Sequence, residues 1–359
     1  MLVKVKDFQV TPHALLFDPE LYLFDILPDR NIVRFLLVEE QHLEQAPFID
    51  IRFEGLARGQ FSMPSFELFG LENQHGSTRP RPAFIFHHAF VCSTLLARCL
   101  NQVDAFFSLK EPWILRRLAD IKRNRQQRIP RSQWKQTFRS CVALLAKNYR
   151  SGASPVIKAT NVANNLVPDV FRFLPGHPVL FLYSGLEDFL VSNLKKPEET
   201  QRKMPELAAW FVGDGDFAQR FPAFADIGKL NFLQVCAVVW MANIHNLRRD
   251  SNRYAGAAVR TLEMRRFLDH PAETLAGLST FFGHHAGKED IARMTGPEVM
   301  RSNAKDSNQQ FDNTNRVSES QQVRQRHSAE IEATLAWAAP LIDGEAMLAY
   351  LDSMGLDTP

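Results

Sequence analysis

Short apolar runs alternate with stretches of helical periodicity through most of the chain. Each run is four to six residues long, which is typical of a buried parallel strand, and apolar residues then recur with a period near 3.6. The predicted strands, the last of them the weakest, are 83–86, 104–109, 155–160, 179–183 and 257–262. This alternation predicts an α/β fold with a central parallel sheet and helices on both faces.

Residues 1–80 have a different pattern, and they are predicted to form a β-rich or mixed N-terminal extension to an α/β domain over 81–359. Proline and aspartate interrupt short apolar runs there. Residues 49–53 and 66–69 alternate apolar and polar side chains, which predicts two half-buried strands. The role of the extension stays open between a lid, a substrate-side wall and a dimer surface.

Composition limits the classes of function. The chain has 359 residues, 45% of them hydrophobic, and a formal net charge of only +2, so it is not a general trap for nucleic acid. No apolar run is long enough to span a bilayer, and no signal-peptide core is present. The four cysteines are scattered without metal-site spacing. We therefore expect a cytoplasmic protein with neither a structural metal nor a nucleic-acid partner.

The stretch from residue 82 to residue 100 is the centre of the functional hypothesis. A strand, a tight loop and a helix follow one another, with Ser93 and Thr94 near the first helical turn. Free backbone N–H groups and the helix dipole favour an anion at such a position. The alternative is that Ser93 or Thr94 only caps the helix. The stretch lacks the nucleotide triphosphatase pattern, because His87 and Cys92 replace its glycines and Ser93 its lysine.

Polar side chains follow several of the predicted strands. In parallel sheets, ligands bind outside the carboxyl ends of the strands. The residues that fall there are His87, His88, Lys110, Glu111, Lys158 and Ser184. Their convergence supports an anion site at that edge. Residues 300–327 are polar and contain almost no core material, so they are predicted to be either a long loop, which would cover the cofactor, or the exposed start of a helix.

Three segments together resemble one family. Phe84-Ile-Phe leads through Ala89-Phe-Val-Cys-Ser-Thr to Leu95-Leu, and the apolar strand at 179–183 leads through Ser184 to Ser192. The segment 262–283 ends in a Pro-Ala-Glu-Thr-Leu helix followed by Phe282-Gly283. In this order and register the chain resembles the P-loop sulfotransferases over roughly residues 82–310. The resemblance implies a three-layer P-loop NTPase-like domain.

The same resemblance implies sulfuryl transfer from 3′-phosphoadenosine 5′-phosphosulfate (PAPS) to an acceptor hydroxyl or amine, without a metal. Ser184 and Ser192 stand at the positions that bind the 3′-phosphate, and Arg301 and Lys305 at positions that close over the cofactor. The cofactor loop comprises His87, Ala89, Phe90, Val91, Cys92, Ser93 and Thr94. Three family residues are missing: the loop cation falls on Phe90, the glycine on Cys92 and the 3′-phosphate arginine on Ser184.

Catalytic roles are assigned to three residues, each with a structural alternative. Some relatives carry a base at the position of Glu111, but a glutamate there can also pair with Lys110 at a helix start. His88 is the competing base or a structural hydrogen-bonding residue. Lys158 ends a buried strand, where lysine needs a partner, and is predicted to contact phosphate or sulfuryl oxygens. Cys92 near His88 could form a nucleophile pair, against the simpler interpretation of a small core thiol.

The sequence leaves three functions to compare. The favoured one is a PAPS-dependent sulfotransferase whose acceptor, a small molecule, glycan or protein, cannot be read from the chain. The second is a degenerate P-loop protein that binds a nucleotide or a partner without catalysis. The third is a kinase or nucleotide hydrolase on the same fold, against which the missing loop lysine argues. A homodimer is left open.

Overall fold

A five-stranded parallel sheet forms the centre of the protein, for which a computed structural model describes residues 3–5, 8–75, 79–124, 129–150, 152–254, 256–301 and 313–356. The strands of the described residues are β1 (Val3–Val5), β2 (Phe8–Val10), β3 (Leu21–Leu27), β4 (Ile32–Leu37), β5 (Gly59–Pro64), β6 (Ala83–His87), β7 (Phe106–Lys110), β8 (Ser154–Lys158), β9 (Val179–Tyr183) and β10 (Val259–Glu263). The central sheet has the order β10-β9-β6-β8-β7, with every pair parallel.

Helices connect and cover these strands. Those of the described residues are α1 (Pro12–Phe17), α2 (Glu40–Gln45), α3 (Ser65–His75), α4 (Ser93–Leu100), α5 (Trp113–Arg123), α6 (Arg131–Leu145), α7 (Val167–Phe173), α8 (Leu186–Leu194), α9 (Glu198–Gln201), α10 (Met204–Gly213), α11 (Phe217–Arg220), α12 (Pro222–Ala225), α13 (Phe232–Arg253), α14 (Met264–Asp269), α15 (Pro271–Phe281), α16 (Lys288–Met294), α17 (Pro297–Arg301), α18 (Asn313–Arg326), α19 (Ser328–Gly344) and α20 (Met347–Ser353). Short 3₁₀ segments cover Pro28–Arg30, Ile51–Leu56, Asn161–Leu166 and Ile227–Lys229.

The strand order confirms the predicted three-layer α/β fold. The chain leaves β6 for β7 on one side of the sheet and later enters β9 on the other side. The direction of the connections therefore reverses around β6, and a crevice opens beside its carboxyl end. All five predicted strands are present, with shifts of at most a few residues at their ends.

Alternate residues of β6 enter two hydrophobic cores. Phe84 and Phe86 pack in the larger core with the long helix α13, whereas Ile85 packs in the second core with α4 and α15. This follows from the period of two in a strand. Helix α13 begins with a capping box, in which Asn231 Oδ1 accepts from the Gln234 N–H at 2.9 Å. Both faces of the sheet are thus covered, which leaves its ends for polar residues.

The N-terminal region combines a small antiparallel sheet, in the order β3-β4-β5, with helices α1 to α3. The prediction of strands at 49–53 and 66–69 is wrong, because the structure has a 3₁₀ segment and helix α3 there. Asp50 caps the 3₁₀ segment that follows it by accepting from the Arg52 N–H at 3.0 Å. In α3 the neighbours Leu68 and Phe69 are both buried while Phe66 is exposed, which is helical and not strand spacing.

Of the two alternatives for 300–327, a long loop or the exposed start of a helix, the described residues favour the helix, because they form α18 and the end of α17. Arg324 of α18 pairs with Glu187 and Asp188 of α8, and Lys195 pairs with Glu319 at 3.2 Å. Salt bridges between side chains thus hold this polar helix against α8. Lys305 lies outside the described residues. Among the helices that are described, none is both long and apolar enough to cross a membrane.

Trp240 of α13 links the larger core to the end of β9, and its replacement tests this packing. Its indole is fully buried, and Nε1 donates to the Ser184 carbonyl at 2.8 Å. We expect Trp240→Phe to lower the free energy of unfolding by about 2–4 kcal/mol, because it leaves a void and an unpaired buried carbonyl. Urea unfolding followed by circular dichroism measures the loss. Trp337→Phe, at a half-buried ring, is the control and should cost much less.

Candidate functional site

The loop between β6 and α4 adopts a shape that normally requires glycine. Phe90 has φ 66° and Cys92 has φ 58°, both in the left-handed region. Non-glycine residues there cost on the order of 1–3 kcal/mol each, and such strain concentrates at functional sites. The predicted glycine position at Cys92 therefore keeps the backbone conformation of a glycine although the residue has changed.

Ser93 and Thr94 form the first turn of α4, as predicted. Ser93 is 6% exposed and Thr94 is 4% exposed, and the first turn of α4 contains no acidic side chain. The Cys92 side chain makes no capping hydrogen bond there. The helix start thus offers backbone N–H groups and a positive dipole end with no carboxylate on the helix itself to neutralise them.

Lys196 supplies a cation beside this loop that the sequence analysis missed. Its Nζ lies 4.1 Å from the centroid of the Phe90 ring, a close cation–π geometry. The missing loop cation was expected at Phe90 itself, and the lysine instead comes from the chain just after α8. One signal was available: Lys196 follows the family-like Ser192 by four residues.

A buried ion pair joins the ends of β7 and β8. Lys158, 1% exposed, donates to the Glu111 carboxylate, and the Glu111 N–H donates to the Lys158 carbonyl at 2.7 Å. Glu111 also has a left-handed φ of 57°. Burial raises the pKa of Glu111, but the charges of Lys158 and His87 and hydrogen bonds from Lys158 and Thr160 bring it below its ordinary value. The carboxylate is therefore ionised at neutral pH.

Lys110 is a second buried lysine at this edge. Its Nζ donates to the Glu44 carbonyl oxygen at 2.6 Å. Burial lowers the pKa of Lys110 to about 7, the Glu44 carboxylate opposes this, and the charges of Arg98, Lys158 and Arg150 lower it further. Of these cations, Lys158 ends the neighbouring strand β8, whereas Arg150 donates to the Phe106 carbonyl at the start of β7.

His87 is held by the backbone. Its Nδ1 and Nε2 lie 2.5 Å and 3.0 Å from the carbonyl oxygens of His88 and Ala159. A neutral ring donates to only one of them, and burial together with Lys158 lowers the pKa of His87 to about 4. The ring thus connects the ends of β6 and β8, which favours a positioning role.

His88 lies in the core. The ring is 1% exposed and packs against Phe181, Phe189 and Trp240 at centroid distances of 5.2, 5.5 and 6.0 Å. Among the described residues, neither nitrogen of the His88 ring has a partner at hydrogen-bonding distance and angle. Burial lowers the pKa of His88 to about 3. Such an enclosed, weakly basic ring is a poorer candidate for a general base than Glu111.

The remaining predicted residues lie around the loop and α4. Ser184, 2% exposed, directly follows β9, and Ser192 is half-buried on α8. Arg301 is exposed at the end of α17, whose Met300 packs in the second core with its sulfur 3.8 Å from that of Cys99 on α4. Arg301 therefore ends a helix that packs beside α4.

A segment of the N-terminal region forms one wall of the ion-pair site. Ile49 donates its N–H to the Lys110 carbonyl at 2.6 Å and accepts from the Trp113 N–H at 2.9 Å. The Phe48 ring lies 5.6 Å from Lys158 Nζ and 4.9 Å from Arg52 Cζ. The sequence analysis left the role of this region open between three alternatives; its contacts place 48–52 beside Lys158 and Lys110.

Comparisons with known proteins found likeness only among solved structures. A sulfotransferase domain from the curacin biosynthetic pathway is 12% identical with a TM-score of 0.41, over 70% of this chain and 99% of that one. Sulfotransferase STF9 from Mycobacterium avium is 10% identical with a TM-score of 0.40, over 74% and 81%. Sulfotransferase STF1 from Mycobacterium tuberculosis H37Rv is 12% identical with a TM-score of 0.37, over 74% and 85%. No family model and no curated protein matches.

Removing Lys158 tests the ion pair. We expect Lys158→Met to lower the free energy of unfolding by about 3–5 kcal/mol at pH 8, because it leaves a buried carboxylate unpaired. Without the lysine, burial raises the folded pKa of Glu111 above its unfolded value, so the loss should shrink as the pH falls toward 5. In the wild type the folded pKa is lowered, and the stability that Glu111 contributes declines with falling pH.

The double variant Lys158→Met/Glu111→Gln is the control for that experiment. Removing both charges should recover part of the stability, and residue 111 should then contribute nothing to the pH dependence of unfolding. Urea unfolding at several pH values measures both effects. An equal loss in the single and double variants at every pH would contradict an energetically coupled pair.

Proposed function

We propose that the protein is a sulfotransferase that moves a sulfuryl group from PAPS to an acceptor hydroxyl or amine. The observation that carries the proposal is the loop itself. Phe90 and Cys92 hold left-handed backbone conformations immediately before the uncapped helix start at Ser93. This geometry suits a bound phosphate or phosphosulfate, and the resemblance of residues 84–96 to the sulfotransferase loop gives the ligand.

The described residues divide between donor binding and proton transfer. The N–H groups at Ser93 and Thr94 hold the 5′-phosphosulfate, and Lys196 provides positive charge beside the loop. Glu111 accepts the proton of the acceptor group while Lys158 orients its carboxylate. When bound, PAPS would supply the sulfuryl group: sulfur forms a bond to the acceptor oxygen or nitrogen, and its bond to the bridging phosphate oxygen breaks with the electron pair left on that oxygen. Cations at the site stabilise the charge that develops there.

Residues 48–52 form the acceptor-side wall in this proposal. Phe48 covers Lys158, and Arg52 stands at the rim with 69% of its side chain exposed. A hydrogen bond from Arg52 to Asp50, and then the charges of Asp50 and Glu111, raise the pKa of Arg52 despite partial burial. An acceptor therefore meets an aromatic ring and a guanidinium before it reaches Glu111.

A non-catalytic nucleotide-binding protein is the second candidate. Ser184 stands where the family has the arginine that contacts the 3′-phosphate, and Ser184 is only 2% exposed. Loss of a charge-assisted hydrogen bond weakens binding by about tenfold or more. Incubation with sulfur-labelled PAPS and a mixture of phenols, alcohols and amines separates the two candidates. Label in an acceptor supports the enzyme, and binding without transfer supports the second candidate.

Binding of adenosine 3′,5′-bisphosphate tests the donor assignment. We expect this compound to raise the melting temperature by several degrees at saturating concentration, and ATP and GTP to raise it less, since only ligands of the folded state stabilise it. Thr94→Val, which removes the hydroxyl donor at the helix start and keeps the backbone N–H, should reduce the shift. Thr280→Val, at an exposed position of α15, is the control and should retain it. A larger shift with ATP in the presence of magnesium would favour the kinase or hydrolase alternative instead.

The role of Lys196 has its own test. We expect Lys196→Met to raise the Kd for adenosine 3′,5′-bisphosphate about tenfold, because it removes one cation beside the loop while keeping the aliphatic stem. Calorimetry at two salt concentrations should also show a weaker salt dependence. Lys195→Met removes a neighbouring lysine that pairs with Glu319 and serves as the matched control. Equal affinity in both variants would exclude Lys196 as the loop cation.

A further inference from the structure

A basic pocket lies at the end of the sheet opposite the loop. Its cavity of about 550 Å³ is lined by the segment before β6, the end of α3, one side of α6 along its whole length and the turn before β9. Pro82 immediately precedes β6, whereas the loop follows its other end. Five strand residues span about 15 Å, so the pocket and the loop are separate places in the fold.

Four basic side chains and a single carboxylate line this pocket: Arg79, Arg81, Lys135, Arg139 and Glu72. Arg81, Lys135 and Arg139 are exposed. His177 also lines it, but burial lowers its pKa, so the ring is neutral at pH 7. Helix α6 adds its N-terminal end, with no acidic residue in its first turn. The pocket therefore has an excess of positive charge in a molecule of nearly neutral net charge.

Arg79 is the unusual member of this set. Its side chain is only 4% exposed, yet Nε and both Nη atoms make no hydrogen bond with any residue that the structure describes. The nearest carboxylate oxygen, Glu72 Oε1, is 3.8 Å from Nη1, and Glu72 already accepts from Ser140 Oγ at 2.9 Å. The guanidinium also stacks on Phe17 with Cζ 5.2 Å from the ring centroid. A ring face satisfies no N–H donor, so five donors are left for an acceptor.

We propose that this pocket binds a ligand through a phosphate group, at a second anion site that is separate from the loop. A phosphate monoester carries nearly two negative charges at neutral pH and several acceptor oxygens. It therefore matches four cations around one carboxylate better than a monoanion does. An arginine fork can donate two parallel hydrogen bonds to such a group. This proposal does not depend on the function proposed above.

Calorimetric titration of the full-length protein with inorganic pyrophosphate tests the proposal, with the loop first saturated by adenosine 3′,5′-bisphosphate. We expect one site in the wild type. Lys135→Glu/Arg139→Glu should raise the Kd at least about tenfold, since it places two negative charges at the pocket rim. Arg202→Glu/Lys203→Glu changes the net charge equally at exposed positions outside the pocket, and should bind as the wild type does.

Further variants keep the outcome clear. Arg79→Gln should weaken pyrophosphate binding, with the melting temperature measured alongside to confirm that the variant is folded. Failure of the donor assignment leaves this test intact, because the two charge-reversal variants are compared under the same conditions and differ in whether the pocket rim is changed. Equal pyrophosphate affinity in the two charge-reversal variants would overturn the site. Sulfate binding as tight as that of pyrophosphate would overturn the phosphate assignment.

Discussion

The buried ion pair between Lys158 and Glu111 is the interaction on which the candidate site depends. It joins the carboxyl ends of two neighbouring strands, and a backbone hydrogen bond between the same two residues reinforces it. Phe48 of the N-terminal region packs over the lysine. A lysine with 1% exposure needs a partner, and the glutamate that provides it has a left-handed backbone. The positions of Lys158 and Glu111, their opposite charges and the left-handed backbone of Glu111 therefore depend on one another.

Burial on both faces of the central sheet explains why the chemistry lies at its ends. Helices cover both faces, and alternate residues of β6 enter separate cores. Polar side chains on a strand then have space only near its termini. The carboxyl end holds the loop, Lys158 and Glu111, while the amino end borders the pocket of Arg79. The two candidate anion sites thus have one structural origin but different surroundings, a helix start in one case and a set of basic side chains in the other.

The fold was more predictable than the site because strand and helix periodicity are local signals. Short apolar runs identified all five strands of the central sheet. The segments 49–53 and 66–69 were wrongly predicted as strands, because apolar and polar residues that alternate over only four or five positions are found in strands and also in short helical segments. Ser93, Thr94 and Glu111 could be predicted as candidate site residues because they come soon after strands in the sequence. Lys196 and Phe48 were missed as site residues because they reach the site only through tertiary packing.

The loop between β6 and α4 has a backbone shape typical of glycine, although it contains no glycine. Cys92 and Phe90 are the two residues that adopt this shape. Both residues adopt positive φ values, and Lys196, from the chain just after α8, lies over the Phe90 ring. Left-handed geometry at two non-glycine positions costs energy that packing elsewhere has to offset. Such geometry is easier to explain by a requirement for the loop shape than by packing alone, since an ordinary strand-to-helix turn could form without it.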